Sequence, residues 1–119
     1  MKIDFLADTN FLIYLHEGNP IVEPFLGYNF GISIITEIEL LGYKNINKSE
    51  LSLLQLLIND CFLINLEDKI KLKTIELKQK YSIKLPDSVI AATSLIYKIP
   101  LVSADKGFSN IEELDFILL

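Results

Sequence analysis

The chain alternates short, almost wholly apolar runs with longer segments in which apolar residues recur at helical spacing. Lys2–Ala7 reads as a short buried strand. Asp8-Thr9-Asn10 then supplies helix-starting residues before the apolar run Phe11–Leu15, which stops at Gly18. Asn29–Ser33 predicts a second strand, followed by a helix from about Ile34 to Tyr43 and another from about Ser49 to Asn59. Cys61–Leu66 is a third strand. Glu67–Tyr81 sets Ile70, Ile75 and Leu77 among many charges, the pattern of an exposed helix with one buried stripe. Pro86-Asp87-Ser88 opens a helix running to about Tyr97, because proline is tolerated in a first turn and acids suit the positive end of the helix dipole. Pro100–Ser103 is a fourth strand, Asp105–Asn110 a loop or single turn, and Asp115–Leu119 a last strand. Nearly continuous apolar strands alternating with helices predict an α/β fold of three layers, α/β/α, around a central parallel sheet.

The 119 residues contain no repeat and no Gly- or Pro-rich linker, so one domain over 1–119 is expected. A mean hydropathy of +0.36 is high for so small a domain and implies that some apolar surface faces a partner. Sixteen acids against eleven lysines and no arginine give a net charge of -5, which excludes adhesion to nucleic acid through bulk charge. A lone Cys61 rules out an internal disulfide or a Cys-rich zinc site and fits a small buried hydrophobe. Asp4 and Asp8 interrupt the first apolar stretch, which is too short and too charged for a signal peptide. No run approaches the roughly 20 apolar residues of a membrane span, so a cytoplasmic protein is expected.

In a parallel sheet, ligands bind beyond the carboxyl ends of the strands, where loops and helix N-termini converge. Asp8 follows the first strand, Asp105 follows the fourth by two residues, and Asp87 lies in the first turn of the helix feeding the fourth. Glu39 lies on the helix after the second strand. Each acid also has an ordinary structural explanation: Asp8 as a helix N-cap, Asp87 as a dipole complement, Asp105 as a turn former, Glu39 as a solvated charge. Helical periodicity alone leaves Glu37 and Glu39 tied, on opposite margins of an apolar face formed by Ile34, Ile35, Ile38 and Leu41. Four acids with no cationic partner in sequence would repel one another unless neutralised, and a hard divalent cation, Mg²⁺ or Mn²⁺, takes oxygen ligands and commonly works on phosphates.

Four motifs carry a family resemblance: Asp8-Thr9-Asn10-Phe11-Leu12-Ile13, Ser33 to Leu40 (SIITEIEL), Asp87-Ser88-Val89-Ile90-Ala91-Ala92 and Ser103-Ala104-Asp105-Lys106-Gly107-Phe108. In order and spacing they resemble the PIN-domain proteins, specifically the VapC-like ribonuclease toxins of bacterial toxin–antitoxin pairs. The resemblance implies Asp8, Glu39, Asp87 and Asp105 as catalytic, metal-binding acids, with Glu39 preferred to Glu37 because the family pattern has Thr, two residues, then Glu. It further implies that Asn10, Thr36 and Ser103 orient those carboxylates or a bound water. An RNA substrate, a 5′-phosphate product, a homodimer and inhibition by a cognate antitoxin peptide in a groove over the site also follow from it.

With no arginine to fork onto phosphate, lysines are the available grips. Glu67–Lys84 carries Lys69, Lys71, Lys73, Lys78, Lys80 and Lys84 against three acids, a local +3 that suggests an RNA-facing rim. The same lysines also suit a plain solvated helix face. His16, the only histidine, suits a C-terminal dipole complement. Two rival readings are a receiver-like phosphoacceptor domain and a non-catalytic PIN-like binding module. The former normally wants adjacent acids after the first strand, whereas Asp8 has no acidic neighbour.

Overall fold

A computed structural model describes residues 2–119. Five parallel strands form one sheet in the order β3-β2-β1-β4-β5: β1 is Phe5–Ala7, β2 Phe30–Ser33, β3 Phe62–Ile64, β4 Leu101–Ser103 and β5 Phe116–Leu118. The helices are α1 (Thr9–Glu17), α2 (Ile34–Leu41), α3 (Lys48–Asn59), α4 (Asp68–Lys80) and α5 (Leu85–Tyr97), with 3-10 turns at Pro20–Phe25 and Lys106–Asn110. Every predicted strand and helix is present, most of them trimmed by a residue or more at the ends, and the Pro20–Phe25 turn is new. Parallel flavodoxin-like and receiver domains follow the order 2-1-3-4-5 instead, so the receiver-like alternative does not fit this topology.

The central strand decides the layering, because successive strand residues point to opposite faces. Leu6 joins Leu101 and Ile64 in a core closed by Ile70 and Leu77 of α4 and Val89, Ile90 and Ala92 of α5. Phe5 and Ala7 join Ile32 and Val102 on the other face, closed by Phe11 and Leu12 of α1, Leu40 of α2 and Ile58 of α3. Three layers result. On the second face Phe5, Phe11, Phe25 and Phe30 pack ring to ring at 5.3 to 5.8 Å, mostly edge to face, an arrangement favoured by the ring quadrupoles. Gly18 ends α1 in the left-handed region, φ 70°, where its N–H reaches back to Leu15 and Tyr14.

Two details of the apolar pattern differ from expectation. On α4 the buried stripe is Ile70, Thr74 and Leu77, while Ile75 is exposed, since 100° per residue turns it off the Ile70–Leu77 line. On α2 the buried positions are Thr36 and Leu40, and Ile38 faces outward, so the helix is rolled away from its most apolar arc. Thr74 and Thr36 are tolerated inside because their hydroxyls are partnered, Thr74 by the Ile70 carbonyl at 2.7 Å.

This packing sets a stability contrast within one helix. Leu77→Ala should cost about 2–5 kcal/mol in urea unfolding, whereas Leu72→Ala, on the exposed face of α4, should stay within about 0.5 kcal/mol.

Candidate active site

Asp8 leaves the carboxyl end of β1 and caps α1, its Oδ1 accepting from the Phe11 N–H at 2.9 Å. Its Oδ2 accepts from the Ser103 hydroxyl at 2.5 Å, and the Ser103 oxygen in turn accepts from the Asp105 N–H at 2.9 Å. Ser103, the fully buried last residue of β4, therefore ties the ends of two adjacent strands together. Asp105 Oδ1 accepts from the Gly107 N–H at 2.8 Å and starts the following 3-10 turn. Asp87 lies in the first turn of α5, and its carboxylate makes no hydrogen bond among the described residues. The capping and turn-forming explanations thus hold for Asp8 and Asp105, and the same residues stand together at one sheet edge.

Burial, above all, pushes the Asp8 carboxyl up from 3.8 to about 6, against the lowering effect of the Ser103 and Phe11 hydrogen bonds, with Asp105 and Asp87 adding like-charge repulsion. Asp87 is raised by burial, then by Asp105 and Glu39, and Lys84 offsets part of this. Asp8, Asp87 and Asp105 are therefore close enough to act on one another, and Glu39 is close enough to act on Asp87. None of the ion pairs among the described residues involves them.

Glu39 is held by a residue that the sequence did not single out. Thr9 Oγ1 donates to Glu39 Oε1 at 2.6 Å and lies 3.3 Å from the buried Thr36 Oγ1. Of the residues expected to orient carboxylates, Ser103 contacts Asp8 directly, whereas Thr36 contacts only the Thr9 hydroxyl. Asn10, expected beside them, is exposed on α1 and makes no side-chain hydrogen bond among the described residues. One helical step turns Asn10 away and brings Thr9 toward α2 instead, which no periodicity within α1 could reveal before α2 was placed.

Thr9 and Glu39 also border a groove of about 550 Å³ between α1 and the α2–α3 connection, walled by Ile13, Leu40, Tyr43, Ile46 and Leu54. His16 lines it too and pairs with Glu50 of α3 through Nε2 to Oε1 at 2.8 Å, beyond the dipole role expected of it. The α4 lysines form less of a free rim than their count implied. Lys71, Lys73 and Lys80 pair with Asp68, Glu76 and Glu113, and Lys78 donates to the Ile83 carbonyl at 2.7 Å. Cys61 is half-buried, donates to the Leu57 carbonyl and is pushed up to about 12 by burial, an unreactive thiol.

No three His, Cys, Asp or Glu side chains among the described residues close on a common point as a ready-made metal cage. The donors at the edge are nonetheless all oxygens, carboxylate and hydroxyl, with negative charge that Lys84 offsets only in part. That set fits a Mg²⁺-like ion, which keeps several waters and needs few direct protein ligands, better than a fully protein-bound metal.

What the fold and edge define is an α/β domain with an acidic cluster at the carboxyl ends of a parallel sheet. The PIN domain family matches residues 5–114, and the chain belongs to that family. Among solved structures it is similar to a toxin–antitoxin complex from Klebsiella pneumoniae, 28% identical over 95% of both chains with a TM-score of 0.80. VapBC-1 from nontypeable Haemophilus influenzae is 25% identical over 96% of both chains, TM-score 0.79. DNA-bound VapBC from Salmonella typhimurium shares the fold at 21% identity and TM-score 0.84, over 98% of both chains. No curated protein matches the sequence. The VapC-like PIN resemblance carried by the four motifs holds at the level of family and fold. No described helix is long and apolar enough to cross a membrane.

The raised Asp8 carboxyl has a consequence for stability. Between 3.8 and about 6 the folded chain binds more protons at this site than the unfolded chain, so ionised Asp8 weakens the metal-free fold above pH 6 and ceases to do so as pH falls toward 4. Asn caps a helix as well as Asp. In EDTA, Asp8→Asn should be more stable than the unmodified chain near about pH 7.5, by up to about 3 kcal/mol, and the gain should vanish near about pH 4. Lower stability of Asp8→Asn at every pH in urea titrations would contradict this.

Proposed function

We propose that this protein is a divalent-metal-dependent endoribonuclease acting in the cytoplasm as the toxin of a toxin–antitoxin pair. The observation that carries the reading is the gathering of Asp8, Asp87 and Asp105, with Glu39 within reach of Asp87, at the carboxyl edge of a PIN-family sheet, where no ion pair among the described residues involves them. Asp8, Glu39, Asp87 and Asp105 would hold Mg²⁺ or Mn²⁺, which when bound supplies a Lewis acid for the phosphate and an acidified water.

The chain's own residues do the rest. Ser103 and the Phe11 N–H fix both oxygens of Asp8, so that this carboxylate orients rather than moves. Asp87, raised by burial and without a hydrogen-bond partner among the described residues, would take a proton from the attacking water. Water oxygen bonds to phosphorus as it gives up a proton, the bond from phosphorus to the 3′ oxygen breaks, and the leaving 3′ oxygen takes a proton from solvent, so that a 5′-phosphate and a 3′-hydroxyl remain. Lys84, whose charge reaches Asp87, and Lys106, next to Asp105, supply positive charge for the RNA backbone in a chain without arginine. The apolar groove beside Thr9 and Glu39 is the seat for an antitoxin peptide, supported by the likeness to toxin–antitoxin complexes. Exposed Leu56, Leu72 and Leu85 leave apolar surface for a homodimer.

The purified chain should cleave single-stranded RNA when Mg²⁺ or Mn²⁺ is supplied and not in EDTA. Asp8→Asn or Asp87→Asn should abolish cleavage with the fold intact by circular dichroism, and Glu39→Gln should hurt far more than Glu37→Gln. Full activity in EDTA, or an unimpaired Asp8→Asn protein, would overturn the proposal. A non-catalytic PIN-like module would show no cleavage under any metal.

A further inference from the structure

Two glutamates two residues apart on α2 are chemically alike, yet among the described residues only Glu39 is met by a side-chain donor from another element, Thr9 Oγ1 at 2.6 Å. We infer that Thr9 is the positioning residue for Glu39, locking one oxygen of that carboxylate so that the other is presented to the acidic edge. The role rests on Glu39 belonging to the nuclease site proposed above.

Thr9 is the first residue of α1, and its placement follows from its neighbour. Asp8 Oδ1 holds the Phe11 N–H and sets the first turn, from which the Thr9 side chain meets α2. Threonine is β-branched and restricted at χ1, so the hydroxyl has few alternatives once the turn is fixed. It owns one proton. Thr36 Oγ1 at 3.3 Å and Glu39 Oε1 at 2.6 Å compete for it, and the nearer, charged acceptor wins. The buried Thr36 hydroxyl is then free to donate to the Thr9 oxygen, which strengthens the bond to Glu39. An exposed glutamate would otherwise sample several rotamers, and this bond selects one. Oε2 of Glu39 makes no hydrogen bond among the described residues and remains for a metal-held water or an ion. The dipeptide Asp8-Thr9 thus supplies one acid of the edge and orients a second.

Thr9→Val keeps the shape and deletes the hydroxyl, Thr9→Ser keeps the hydroxyl, and Thr9→Ala replaces Val should that variant fail to fold in EDTA. The readouts are kcat and KM on single-stranded RNA, and the apparent Mg²⁺ affinity from melting temperature in a MgCl₂ series. Thr9→Val should lose roughly ten- to hundredfold in kcat, the span expected for a hydrogen bond to a charged group, with KM little changed. Its Mg²⁺ response should shift to higher concentration, and Thr9→Ser should restore both. In a Glu39→Gln background, Thr9→Val should add nothing, because Thr9 acts through that carboxylate. Wild-type kcat and Mg²⁺ affinity in Thr9→Val, or a loss that multiplies with that of Glu39→Gln, would overturn the role while leaving the nuclease reading intact. An unmodified chain that neither cleaves RNA nor responds to MgCl₂ would remove both.

Discussion

Asp8 lies where β1 becomes α1, with 4% of the residue's surface exposed, and the structure around its carboxyl group is arranged to hold it there. A carboxylate so placed loses most of its hydration, and two hydrogen bonds return only part of what is lost, which is why its proton affinity stays high. Those two bonds are also the joints of the fold. The Phe11 N–H is the first turn of the helix that closes one core, and Ser103 ends the strand paired with β1 on the other side. A local cap and a buried acid are therefore one interaction seen from two sides. The ordinary structural explanation of Asp8 and its chemical one do not compete.

The same economy recurs around the edge. Asp105 builds a turn with one oxygen, and its backbone N–H fixes the serine that holds Asp8. Glu39 is fixed from α1 rather than from its own helix. Asp8 and Glu39 are thus oriented by neighbouring elements, Asp105 by its own turn, and Asp87 is brought to the same edge by the start of α5, so the four come together only when β1, β4, α1, α2 and α5 are all docked. The site is a property of the packed layers, and no isolated segment of the chain contains it.

That dependence explains what was legible in the sequence. The strands were, because runs such as Leu101-Val102-Ser103 are buried on both faces and leave an unbroken apolar signal. Asp8, Asp87 and Asp105 stood out as candidates because each follows a strand or opens a helix where the chain turns toward the edge, whereas Glu39, inside α2, was separated from Glu37 only by the family resemblance. Residues whose meaning comes from a second element were not. Thr9 looked like any helix-starting polar residue beside Asn10, and only the approach of α2 separates the two. Thr36 and Leu40 are the buried face of α2 although Ile38 is the more apolar side chain, because Ile38 is turned away from the sheet. The lysines of α4 counted as a cationic stripe until their partners were placed. The groove between α1 and the α2–α3 connection has no linear signature, as its walls come from separate segments.

Charge gives a last constraint on how such a surface meets phosphate. The chain carries -5 overall, and three of the α4 lysines are already paired with acids of the same chain. Bringing a polyanion to Asp8, Glu39, Asp87 and Asp105 adds repulsion to a cluster that already repels itself, and two lysines, Lys84 and Lys106, are too few to reverse the sign. A divalent cation changes this twice over. It cancels the repulsion among the acids, which favours the folded edge, and it makes the same edge attractive to a phosphate oxygen. Under the proposed function, metal and RNA are therefore positively coupled ligands, each stabilising the binding of the other, and the missing arginines are no obstacle because the charge arrives with the ion.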